Sequence, residues 1–228
     1  MQLTDKISTE KPKSMLKHLG IVVIFGIALA YFEAAVVVYL RAIFYPGGFI
    51  FPLQEFGMTD LWQRLLVTEI GREAASIVLI LSAAWLFAGN LRRSLAHFLI
   101  IFAIWDIFYY IWLKLLLGWP ASIMDWDILF LIPLIWASPV LAPLLVSALL
   151  LIFAGIILYR DYRDKPLKAG LADWAGFIIS ALIVVISFCS AGLHIRQSDY
   201  RLYFSWLLFA AGCAAAALIF IRCLKKSK

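Results

Sequence analysis

Apolar residues run through this chain in stretches of about 20 residues or more, divided by short groups of Gly, Pro, Asn and charged side chains. As helices, such stretches cross a hydrocarbon layer of ~30 Å. Six are predicted, at residues 19–44, 65–88, 95–117, 140–159, 172–194 and 202–222. Tyr45-Pro46-Gly47-Gly48 stops the first, Gly89-Asn90 the second and Gly118-Trp119-Pro120 the third. Residues 49–62 carry Phe49, Phe51, Phe56 and Trp62 among few charges, the composition of a loop lying in the membrane interface.

The pattern changes before the fourth stretch. Residues 128–159 are apolar without a break, yet one helix of that length would reach about 48 Å, and Pro133, Pro139 and Pro143 interrupt it. The expectation is a short re-entrant or interfacial segment at 128–138, followed by a span from residue 140. A single tilted, kinked helix is the alternative. Trp105-Asp106-Ile107-Phe108 and Trp126-Asp127-Ile128-Leu129 echo one another, and no longer repeat is visible.

The fold class expected is therefore all-α, a polytopic transmembrane helix bundle forming one integral membrane domain over residues 1–228. Composition agrees: 64% of the 228 residues are hydrophobic and 15% charged, against about half and a quarter in soluble domains. The net charge of +6 does not point to nucleic acid, because the bases lie in short segments between spans. Six spans put both termini on one side, together with fourteen of the twenty Lys and Arg. The excess of positive charge on cytoplasmic loops then gives a multi-pass protein of the plasma or inner membrane with both termini cytoplasmic. The first apolar run is also too long for the core of a signal peptide and is read as a retained span.

Charge inside the spans changes the picture most. Glu33, Arg41, Glu69, Arg72, Glu73, Asp106 and Lys114 all fall within the first three. Counted from the outer ends, Glu33, Glu73 and Asp106 lie roughly 12–16 Å deep, and Arg41, Glu69 and Lys114 roughly 4–6 Å deep. Three- and four-residue spacing puts Glu69, Arg72, Glu73 and Ser76 on one face of the second span. Asp106, Tyr110 and Lys114 share a face of the third, and Glu33 shares one with Arg41 on the first. Ionised groups at such depth are costly unless paired or hydrated, so these faces should meet.

The expected ligand- or proton-binding set is Glu33, Glu69, Arg72, Glu73, Asp106, Tyr110 and Lys114, with Asp125 and Asp127 contributing from the outer loop. Its leading function is to bind or translocate a small polar or ionic ligand, or protons. The alternative is a membrane-embedded enzyme acting on a lipid-like substrate with a carboxylate-bound divalent metal. A second alternative is a structural or assembly subunit, since four acids and three bases nearly balance. No metal site or cofactor is assigned: CxxC, DxxxD and Glu-x-x-His are all absent, and Cys189, Cys213 and Cys223 have no ligand spacing. His18 and His97 are the one pair that could reach a haem from facing helices. Trp62, Trp112, Trp119 and Trp126 read as an aromatic belt. Besides the bilayer, partners in a membrane complex would meet the last two spans, where AAGCAAAA at 210–217 permits close helix approach.

Overall fold

A computed structural model describes residues 2–53 and 60–227, with side chains described over 18–53, 60 and 63–227. The readings made for Phe56 and Trp62, and for the side chains of the first seventeen residues, lie outside this set. The chain is mostly helical. Its helices are α1 (Gln2–Phe44), α2 (Asp60–Leu86), α3 (Leu91–Leu117), α4 (Leu141–Tyr162), α5 (Leu171–Gly192) and α6 (Trp206–Lys226). Five of them are long and apolar enough to cross a membrane, and their outer faces expose large apolar side chains such as Ile24, Phe32, Leu171 and Leu207. These are the properties of a membrane protein. The helix that falls short is α2, which has the length but carries Glu69, Arg72 and Glu73 in its first half.

Helix ends follow the local chemistry. Asn90 caps α3 by accepting from the Arg93 N–H at 3.0 Å. Gly118 closes the same helix in the left-handed region (φ +68°), with its N–H on the Lys114 carbonyl. The core joining α1, α2 and α3 is built on Val22, Ala30, Ile80, Ala84, Ala96 and Ile101. Gly26 allows α1 to approach α3, because a Cβ there would lie 2.9 Å from Ile104 Cγ2. On the other side α5 and α6 pair through glycines: a Cβ on Gly212 would come within 2.8 Å of Val184 Cγ2, and one on Gly176 within 2.7 Å of Ile219 Cδ1.

The connection between α3 and α4 departs from an all-helical fold. Residues Trp126–Phe130 (β1) and Trp136–Pro139 (β2) pair as an antiparallel hairpin, with Asp127 opposite Ser138 and a register irregularity between Ile128 and Phe130. The expected helical fold holds for most of the chain, and at 128–138, where a re-entrant or interfacial segment is expected, this short hairpin forms. Trp, Ile and Phe favour strands, prolines exclude a continuous helix, and pairing of the two strands satisfies backbone groups that no helix holds. Residues 128–138 accordingly do not run on into α4. The hairpin base is tied to the start of α4, where the Val140 and Leu141 N–H groups donate to the Asp125 and Ile123 carbonyls at 2.9 and 2.8 Å.

Around the hairpin a second core gathers Leu53, Trp126, Ala137, Phe188, Ile195, Tyr200 and Phe204. The turn leading into β2 lies so close to α5 that a Cβ on Gly192 would overlap the Ile135 carbonyl. Trp126 is thus a core residue, and Trp119 stacks on Arg41, while Trp112 donates to the Ile27 carbonyl at 3.2 Å. All three pack at least in part against protein. At the opposite end of the bundle Arg92 and Arg93 pair with Asp161, and Arg222 and Lys226 with Asp173. The starts of α3 and α5 therefore sit beside the ends of α4 and α6.

Candidate functional site

Ser147, six residues into α4, donates to Asp106, eleven residues from the end of α3, at 2.7 Å. Since α4 runs antiparallel to α3, it begins about 7 Å below the end of α3. The hairpin fills that step, and its tip reaches Glu73 on α2, whose Oε2 accepts the Leu131 N–H at 2.9 Å. Glu73 thereby satisfies a backbone donor that has left the strand pairing.

Beside it, Arg72 forms ion pairs with both Glu33 of α1 and Glu69 of its own helix. Its Nε donates to Glu69 Oε2 at 2.8 Å, and Ser76 donates to Glu33 at 3.2 Å. The charges of Glu33, Glu69 and Arg72 all act on Glu73. Glu33, Glu73 and Ser76 are almost wholly buried, with 7%, 5% and 5% of their surface exposed.

A second cluster lies under the loop between α3 and α4. Asp127 of β1, only 2% exposed, accepts from Arg41 at 3.1 Å and from the Tyr109 hydroxyl at 3.4 Å. Tyr110 packs its ring against Tyr109 and interacts with the same carboxylate. The Arg41 guanidinium lies between the Phe49 and Trp119 rings, 4.1 and 3.8 Å from their centroids, which suits a flat, weakly hydrated cation. Asp106 interacts electrostatically with Asp127 and belongs to this cluster more than to Arg72.

Two residues of the expected set serve the loop backbone. Lys114 donates to the Gly118 and Pro120 carbonyls at 3.1 and 2.8 Å, covering acceptors that the end of α3 leaves open. Asp125 accepts from the Ala121 and Ser122 N–H groups at 2.7 and 3.1 Å and shapes the turn before β1. Sequence reasoning passed over Tyr109 and left Arg41 out of the set. The signal for Arg41 was its depth, but its partner Asp127 is 86 residues away and is brought there by the hairpin.

Both clusters line one cavity of about 1290 Å³, whose wall draws on all six helices and the hairpin. Glu33, Glu73 and Asp106 all reach its wall, each with a different immediate partner. Away from the charges the wall is apolar, with Phe102, Phe153, Phe177 and Phe220 among its members. Inside it five carboxylates, Glu33, Glu69, Glu73, Asp106 and Asp127, face two guanidiniums, Arg41 and Arg72. The other lining arginines, Arg92 and Arg196, are exposed at its two ends.

His18 and His97 do come together, with ring centroids 6.1 Å apart and edge to face. Each is engaged with a carbonyl, Phe87 for His18 and Arg93 for His97, both at 2.8 Å. Rings in mutual contact leave no gap between them for a porphyrin plane. Among the described residues no three His, Cys, Asp or Glu side chains converge as a metal centre needs.

No protein family model matches this chain, and no curated protein or solved structure does. The reading of the site rests on its own chemistry.

Proposed function

We propose that the chain is a six-span protein of the plasma or inner membrane that binds, and in doing so can translocate, a proton or a small cation at the carboxylates of its central cavity. The observation that carries this is the excess of carboxylate. If all five were ionised, the two guanidiniums would leave three negative charges unbalanced in a low-dielectric interior. Lipid cannot offset such an excess; a proton or cation can. The near balance of four acids and three bases, which favoured a purely structural network, does not survive the turn of Lys114 to backbone carbonyls and the entry of Asp127.

Within the set, roles differ. Glu33 and Glu69 are held by Arg72 and keep the guanidinium in place. Glu73 and Asp106 each accept one neutral donor, so they are the carboxylates to which a cation is most strongly drawn. In this reading α2 spans the membrane despite its charges, because these turn toward α1 and the hairpin. The hairpin is a re-entrant segment of the outer half, and the basic ends of α3 to α6 face the cytoplasm with both termini.

Protein reconstituted in liposomes and driven by an inward proton or sodium gradient tests this. Wild type is expected to acidify or load the lumen. Glu73→Gln and Asp106→Asn should lose at least about tenfold of that flux and remain monodisperse, since each replaces a charge by an isosteric amide. Equal flux, or equal equilibrium cation binding, in wild type and both variants would remove the reading.

A further inference from the structure

Three features of the cavity say more about its occupant than its charge does. It is far larger than an inorganic cation requires: about 1290 Å³, where a water molecule takes a share of ~30 Å³. Its walls on α4, α5 and α6 are apolar, so a wholly polar solute would leave most of them without a partner. Trp105 and Trp136 also line it, and their indole N–H groups have no hydrogen-bond partner among the described residues. Trp105 is 6% exposed. A buried donor left without an acceptor is costly, and both indoles flank Phe130 at the hairpin, close to where the carboxylates gather.

Resting on the cation-site reading above, we infer that the ligand is an amphiphile with a protonated amine head, a neighbouring hydroxyl or ester oxygen, and an alkyl chain. The amine sits at Glu73 or at Asp106, the two cavity carboxylates held only by neutral donors. The oxygen accepts from the Trp105 or Trp136 indole. The chain lies along the apolar wall between α4 and the α5–α6 pair, passing Phe153, Phe177 and Phe220. A metal ion would satisfy the charge and leave both the indoles and the wall unmatched. An anionic amphiphile would fit the wall and be repelled by the carboxylates.

The test is binding to wild-type protein in nanodiscs, read by tryptophan quenching and by native mass spectrometry. The probes are dodecylammonium, a 2-amino-1-alkanol of equal chain length, ethylammonium, sodium ion and dodecyl sulfate. Each signal is taken as the difference from a Glu73→Gln/Asp106→Asn protein, which removes unspecific partition into lipid. Dodecylammonium should half-saturate at a concentration at least about 100-fold below ethylammonium, because its chain is buried. Dodecyl sulfate should give no specific signal.

Ala181→Trp, which fills the wall on α5, should weaken dodecylammonium about tenfold and weaken ethylammonium much less. Trp105→Phe should weaken the amino-alkanol severalfold and spare dodecylammonium. Equal binding of ethylammonium or sodium and dodecylammonium would overturn the amphiphile and keep the cation site. Specific binding of dodecyl sulfate would overturn it as well. Absence of every cationic signal, together with absence of flux, would remove both.

Discussion

Arg72 holds the charged site together. It pairs with both Glu33 and Glu69, and its side chain is mostly buried. Removing one partner of a buried ion pair is far more damaging than removing the pair, because the remaining charge is stranded. Arg72→Leu is therefore expected to destabilise the protein by about 3–5 kcal/mol, or to prevent its accumulation. Glu33→Gln together with Arg72→Leu should recover a good part of that loss. Denaturation in mild detergent, followed by circular dichroism, measures both. That the charged faces of α1 and α2 would meet was legible in the sequence from three- and four-residue spacing, but the choice of Glu33 as the partner of Arg72 was not. The fate of Lys114 was not. Its spacing from Asp106 and Tyr110 gave the correct face of α3, but the open carbonyls at the helix end were nearer competitors for its ammonium.

The element that decides the site is the hairpin of β1 and β2. The prolines favoured a break between 128–138 and α4 but left a kinked helix open, and they did not point to paired strands. Short apolar runs read equally as buried helix or strand, and the pairing of Trp126 with Pro139 depends on α5 and the Tyr200–Tyr203 turn to cover it. The position most sensitive to this packing is Gly192, against which the Ile135 carbonyl rests. Gly192→Ala should push the tip away from α5 and cost about 1–3 kcal/mol, the usual penalty of overpacking. A red shift in the emission of Trp126 and Trp136, read in a protein whose other tryptophans are replaced by phenylalanine, would report it. No shift with unchanged stability would mean that the strand lies elsewhere.

On the scale of the whole molecule, the alternation of helices fixes which ends share a side. Asp161 at the end of α4 meets Arg92 and Arg93 at the start of α3, and Asp173 at the start of α5 meets Lys226 at the end of α6. Cysteines placed at Lys165 and Gln197 of a cysteine-free protein should therefore label from opposite sides of a sealed vesicle, with Lys165 on the cytoplasmic side. Labelling of both from one side would contradict six spans. The helix number and the grouping of basic ends were legible from apolar length and charge placement alone. The cavity was not, because its wall on α4, α5 and α6 carries no charge that would mark it in the sequence.

The hairpin also sets an order on synthesis. Its strands leave the ribosome before Phe188, Gly192, Tyr200 and Phe204, the residues that later close over it. Until α5 arrives, the Leu131 amide has Glu73 to hold it, but the β2 side lies bare. A nascent chain halted after α4 should thus expose residues 131–139 to an aqueous probe, and the same residues should become shielded once α6 is inserted. Membrane insertion and final closure are in this way separate events, with the last two helices acting as the cover that completes a site laid out by the first three.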